Sequence, residues 1–195
     1  MNDHFDAKPN SAIVKSAKIM HLCSSVIFLI AGLLVYLVPD ADNVFGNTIV
    51  GIAGIIIGVT GIYGYFSNDM YRLAFQSDFA LGIFNVIFGI LLIINPIRLS
   101  VLLPTAVSVL TLLDGGNKAQ MAIEGKRFGI HKWYLVALSA LLEIAAGIVL
   151  ILLAYHDMDV RMWMGIAMGV VGVTNFWTTM YTVRVRQSRH IFTDE

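Results

Sequence analysis

Six long apolar stretches dominate this chain, at residues 17–38, 47–66, 74–95, 99–121, 133–155 and 162–182. Each is at least as long as the roughly 20 residues a helix needs to cross a hydrocarbon core. Hydrocarbon offers no partner to a bare N–H or C=O, so segments of this kind enter it as helices, which satisfy their own backbone. Together they occupy most of the 195 residues, and little is left for a soluble domain. The expectation is an all-α integral membrane protein with six transmembrane helices. Charge supports it: 13% of residues are charged, against about 25% in soluble domains. The opening "MNDHFDAKPNSAIVKSAK" is polar and too long for a signal peptide, so the first span is expected to remain in the mature protein. Residues 1–16 read as an N-terminal tail, 17–183 as the transmembrane domain and 184–195 as a C-terminal tail.

Lysine and arginine set the expected orientation. Lys8, Lys15, Lys18, Arg72, Lys118, Lys126, Arg127, Lys132, Arg184, Arg186 and Arg189 fall on one side of the six spans. Only Arg98 and Arg161 fall on the other. Both termini are therefore expected in the cytoplasm of a plasma (inner) membrane. Trp133, Tyr134, Tyr155, Trp163, Trp177 and Tyr181 mark span ends, where an aromatic ring meets apolar tails and a polar headgroup at once.

The spans repeat. "LIAGLLVYLVP" (29–39), "VIFGILLIINP" (86–96) and "IAAGIVLILLA" (144–154) align without gaps on Gly32, Gly89 and Gly147, at offsets of 57 and 58. Pro39 and Pro96 end the first two copies, and Ala154 takes the place of the third proline. "GIAGIIIGVT" (51–60) and "GIAMGVVGVT" (165–174) match at an offset of 114, and the middle copy sets Gly115 opposite Gly58 and Gly172. The architecture then reads as three helical hairpins, with repeats over about 17–72, 73–130 and 131–183. Two spans per unit make these parallel repeats about an axis along the membrane normal. Gly54–Gly58 and Gly165–Gly169 have the small-xxx-small spacing that lets helix backbones approach closely in lipid.

One carboxylate, Glu143, stands ten residues into "WYLVALSALLEIAAGIVLILLAY", about 15 Å deep at 1.5 Å per residue. A charge there costs about 2.5–3.5 kcal/mol on insertion scales, which the aliphatic neighbours at about −0.3 to −0.6 kcal/mol each offset. The repeat register sets Glu143 opposite Phe28 and Asn85. It lies on faces that read His21, Ser25, Phe28, Gly32, then Asp78, Gly82, Asn85, Gly89, then Val136, Ala140, Glu143, Gly147. Steps of four, three and four keep each set on one side of a helix. These small, partly polar faces are expected to turn toward other helices. Glu143 is then protonated, paired or wet, a neutral Glu143 donating to Asn85 being one such state. A proton or cation site is the functional reading, and an interhelical hydrogen bond the structural one.

Asp114 falls opposite Ile57 and Val171 in the same register. If the fourth helix continues through "LLDGGNKAQMAI", then Ser108, Thr111, Asp114 or Gly115, and Lys118 form one polar stripe, with Asp114 and Lys118 an (i, i+4) pair. If it ends near Leu113, "DGGNK" is a cytoplasmic turn. Asp78 falls level with His21, where the two can pair near the cytoplasmic surface or remain solvated.

Zero net charge argues against nucleic acid as a partner. HExxH, CxxC and GxSxG patterns are absent, "EGKR" lacks the upstream glycine of a phosphate loop, and the histidines are scattered. Neither catalytic residues nor a cofactor or metal site is expected. Cys23, the lone cysteine, is expected to be a small core residue.

"FGILLIINP", "LLDGG" in a following span and the tryptophan opening "HKWYLVALSALLEIAAGIVLI" resemble the HdeD family of bacterial acid-resistance membrane proteins, over nearly the whole chain. The chain departs at Ala154 and lacks a tryptophan at the start of its first and third spans. The resemblance implies a multi-pass inner-membrane protein tied to acid tolerance and stress response. The leading expectation is a non-enzymatic protein acting in the bilayer through packing, homo-oligomerisation or a membrane-protein partner. Alternatives are a small proton or cation transporter using Glu143, with Asn85, Asp78 and Asp114, and a membrane-embedded assembly factor.

Overall fold

The computed structural model of the chain describes residues 11–37, 43–66, 78–99, 101–127, 129, 132–155 and 160–182. They form seven helices: α1 (Ser11–Leu37), α2 (Asn43–Tyr65), α3 (Asp78–Ile94), α4 (Pro96–Leu99), α5 (Leu103–Arg127), α6 (Trp133–Tyr155) and α7 (Val160–Thr182). No strand occurs among the described residues. Three helical segments, Lys15–Leu37, Val44–Tyr65 and Trp133–Tyr155, are long and apolar enough to cross a membrane, and Phe79–Ile94 is apolar but shorter. α5 and α7 fall outside that set. Asp114, Asn117 and Lys118 lower the hydropathy of α5, and Thr174, Asn175 and the threonines after Trp177 lower that of α7.

Helix ends follow local chemistry. α3 stops at Ile94 because Pro96 pushes Asn95 out of helical geometry and has no N–H to continue the ladder. Pro104 sits in the first turn of α5, where a missing N–H costs nothing. After Arg127 the chain reverses within a few residues through Gly129, whose φ of 72° disfavours a side chain. Lys126 lies 4.8 Å from the centroid of the Trp133 ring across that reversal.

Burial is distributed inside out. Leu33, Leu34, Ile87, Leu138, Leu141 and Leu142 are exposed, whereas Ser24, Ser25, Ser108, Thr111, Ser139 and Thr178 are buried. A soluble protein does not expose apolar surface on this scale; lipid is the solvent that accepts it. Several buried hydroxyls donate to their own helix, as Ser25 does to the His21 carbonyl (2.7 Å) and Thr111 to the Val107 carbonyl (2.8 Å). Such bonds give each of these hydroxyls an acceptor in a dry interior.

The tightest helix pairs are α1 with α7, α2 with α3, and α5 with α6; α1–α2 and α6–α7 are looser. The close partners therefore straddle the repeats. Each repeat's second helix packs hardest on the first helix of the next, and α7 returns to α1. The hairpins read from the sequence are arms of one linked bundle rather than self-contained units. Backbone contact explains the choice. A Cβ added at Gly32, Gly89 or Gly147 would lie 2.9, 2.5 or 3.2 Å from the carbonyl oxygen of Gly165, Gly51 or Ser108. Those three partners are themselves related by the 57-residue period. Gly58, Gly115 and Gly172 meet Val86, Ile144 and Leu29 in the same repeating way. Three seams thus share one pattern, and glycine is what lets each close. Of the small-xxx-small pairs, Gly58 and Gly165 sit in seams, a Cβ added at Gly54 would lie 3.4 Å from the Asn85 carbonyl oxygen, and one on Gly169 would meet nothing within 4 Å.

Candidate functional site

α5 runs unbroken through Asp114-Gly115-Gly116, so the turn reading of "DGGNK" does not hold. Its buried stripe is Leu103, Val107, Ser108, Thr111, Gly115, Lys118, Ala122 and Gly125. Lys118 is therefore interior, 2% exposed, and does not count among the charges flanking the membrane. The helix carries the ammonium inward because Gly115, one turn before it, brings α5 against Glu143 and Ile144 of α6.

Glu143 is fully buried, as its face predicts. Its partner is not Asn85. Glu143 Oε1 accepts from Lys118 Nζ and from Thr174 Oγ1. The repeat aligns Asn85 with Glu143 in sequence, but equivalent positions lie on different helices around the bundle; they cannot meet as neighbours. Lys118 Nζ also donates to Asp114 Oδ2 at 3.0 Å and lies 3.5 Å from Thr174 Oγ1. Asn175 Nδ2 donates to the same Asp114 oxygen at 3.0 Å. One ammonium thus joins two carboxylates and draws α5, α6 and α7 together. With all three groups ionised the cluster is one negative charge in excess. Glu143 Oε2 has no hydrogen-bond partner among the described residues.

Beside this network lies a cavity of about 110 Å³. Its length follows α2 from Val50 to Gly61, about 16 Å at 1.5 Å per residue. Its polar groups, His21, Asn85, Thr111, Asp114 and Asn175, lie from mid-bundle toward the end shared by the start of α1 and the end of α2. Val50, Leu92 and Val107 line the opposite end, with Phe28, Ile57 and Phe88 between. Asp114, 28% exposed at its side chain, belongs to both cavity and network.

Of the residues singled out from sequence, Asp114, Lys118 and Glu143 come together, and Asn85 faces the cavity apart from them. Asp78 opens α3, but its side chain and the proposed pairing with His21 lie outside the described residues. Thr174 and Asn175 were missed. The signal was present: Gly61, Lys118 and Asn175 fall at successive offsets of 57, as do Thr60, Asn117 and Thr174. Cys23, expected in the core, is exposed on α1. It stands two residues from both His21 and Ser25, which puts it on the helix side opposite the inward stripe. No group of three or more His, Cys, Asp or Glu suited to a metal occurs among the described residues.

A model of the short repeat of unknown function (DUF308) matches the chain twice, at residues 23–93 and 80–152. The two matches start 57 residues apart, the period read from the glycines. No curated protein and no solved structure matches the chain.

Proposed function

This chain belongs to the family of the short repeat of unknown function (DUF308), and from that membership and the buried network we propose a non-enzymatic, six-span membrane protein of the HdeD type. It has both termini in the cytoplasm and supports acid or envelope stress tolerance through its packed surface and its contacts with further copies or a membrane partner. The observation that carries this reading is Lys118, seated between Asp114 and Glu143. In a cation carrier that seat is left for the transported ion. Here a tethered ammonium fills it, and the polar groups hold helices rather than a cargo. Interior ion pairs in membranes mark either pathways or structural joints, and a joint across three helices fits this geometry. The outer face of leucine and isoleucine, with small residues inside, supports a body built to sit in lipid and present a fixed shape.

The test compares two readouts. A strain deleted for the gene is complemented with wild type and with the variant Glu143→Gln, and survival is measured after acid challenge. The purified proteins are assayed in liposomes for proton and cation flux. The expected result is restored survival with both proteins, since glutamine still accepts from Lys118 and Thr174, and no flux above empty liposomes. Flux that Glu143→Gln abolishes at unchanged expression would replace this reading with ion transport.

A further inference from the structure

The three repeats place equivalent residues around the bundle, and at one set of positions the side chains differ in kind. Lys118 of the second repeat corresponds to Gly61 in the first and Asn175 in the third. Its acceptor Glu143 corresponds to Asn85 and Phe28. In the seam between α5 and α6, Lys118 meets Glu143. In the equivalent seam between α2 and α3, Gly61 and Asn85 hold those two positions. Both line the cavity. The position equivalent to Lys118 thus carries no side chain in this seam, and it borders the cavity.

That cavity carries the chemistry of the absent side chain. A lysine side chain is a butylammonium. At the polar half of the cavity Asp114 offers a carboxylate, and among the described residues both of its contacts, to Lys118 and Asn175, fall on Oδ2. The Asn85 amide, at the register of Glu143, adds a neutral acceptor. With both carboxylates ionised the network is one negative charge in excess, and a compensating cation is then favoured in a medium where an unpaired charge is costly. Ile57, Phe88 and Leu92 continue as an apolar wall toward the other end, a path for an alkyl chain.

We propose that this cavity binds a short primary alkylammonium, its head group among Asp114, Asn85 and Asn175 and its tail along Ile57 and Phe88. The ligand supplies in trans the side chain that Gly61 lacks. This goes beyond the structural role proposed above, which stands or falls on its own assays.

The test uses n-butylammonium chloride with the purified full chain in lipid nanodiscs, binding being read by calorimetry and by ligand-observed magnetic resonance. n-Butanol and butyrate are matched controls of the same length. The expected result is saturable butylammonium binding, with a Kd of about 1 mM for so small a ligand. n-Butanol binds at least tenfold more weakly and butyrate does not bind. Gly61→Lys, which fills the site covalently, and Asp114→Asn each weaken binding at least tenfold. Binding of n-butanol as tight as that of butylammonium would reduce the site to an apolar void. Undiminished binding to folded Gly61→Lys protein, or no saturable binding to wild type, would overturn the proposal. Should either variant fail to fold, the wild-type comparison of amine against alcohol decides the matter alone.

Discussion

Replacing Lys118 by methionine separates a structural ion pair from an incidental one. Lys118 and Glu143 side chains are 3% and 0% exposed, so neither charge has water to fall back on. Methionine keeps most of the methylene stem and removes the ammonium. Glu143 is left with Thr174, and Asp114 with Asn175. Breaking a buried pair from one side costs about 3–5 kcal/mol, because the remaining charge is stranded. At about 2–4 °C per kcal/mol for a chain of this length, the melting temperature falls by about 6–20 °C. Lys118→Met combined with Glu143→Leu removes both charges and fills the space with apolar atoms, which is often neutral or better. Asp114 tolerates the loss through its exposure to the cavity. The assay is thermal unfolding in detergent micelles at neutral pH, followed by the fluorescence of Trp133, Trp163 and Trp177, for wild type, both single variants and the double. The double variant is expected to regain at least half of the single-variant loss. Single effects that simply add, within about 0.5 kcal/mol, would mean that the two residues do not act as a pair and would refute the reasoning.

Gly58→Ala sets a methyl 2.5 Å from the Gly82 carbonyl and 2.8 Å from the Val86 nitrogen, both backbone. It should destabilise by about 1–3 kcal/mol in the same unfolding assay. Gly116→Ala, whose added methyl meets nothing within 4 Å, should gain up to about 1 kcal/mol from helix propensity. Thr174→Ser should preserve the melting temperature, while Thr174→Val, which removes the hydroxyl from Glu143, should cost about 1–2 kcal/mol. In a Cys23→Ser background, Ser24→Cys, at a position 3% exposed, should react with maleimide only after unfolding.

Periodicity carries the outline of the fold. A face that steps by four and three predicts burial whatever it packs against, and so Ser25, Ala140, Glu143 and Gly147 lie inside as expected. The continuation of α5 was legible through the repeat, because Asp114 aligned with mid-span Ile57 and Val171. Local turn chemistry at Asp-Gly-Gly argued the other way and lost to tertiary packing, which seats Gly115 against α6. Partner identity was not legible. An internal repeat reports which positions are alike, and like positions stand apart around an axis rather than touching. Reading Asn85 as the mate of Glu143 mistook equivalence for contact. Cys23 shows the other limit: in lipid an apolar side chain is as well placed outside as inside, so hydrophobicity alone does not sort core from surface.

The same distinction explains why a repeated chain holds one ion cluster instead of three. Every seam closes on glycine, at Gly32, Gly89 and Gly147 and at Gly58, Gly115 and Gly172, because close backbone approach is needed where these helices meet. The polar positions are free of that demand. They read Phe28, Ile57, Gly61 in the first copy, Asn85, Asp114, Lys118 in the second, and Glu143, Val171, Asn175 in the third. Since each tight pair joins neighbouring copies, a charge pair needs complementary residues on two different repeats. A carboxylate at the third repeat's first helix and an ammonium at the second repeat's second helix meet once around the bundle. Three identical copies would carry three such pairs, each with its own desolvation cost in a core too thin to hydrate them. Specialising one seam confines that cost to α5, α6 and α7. It leaves the space beside the cluster, at Gly61, Asn85 and Phe28, open and lined by Asp114 and Asn175.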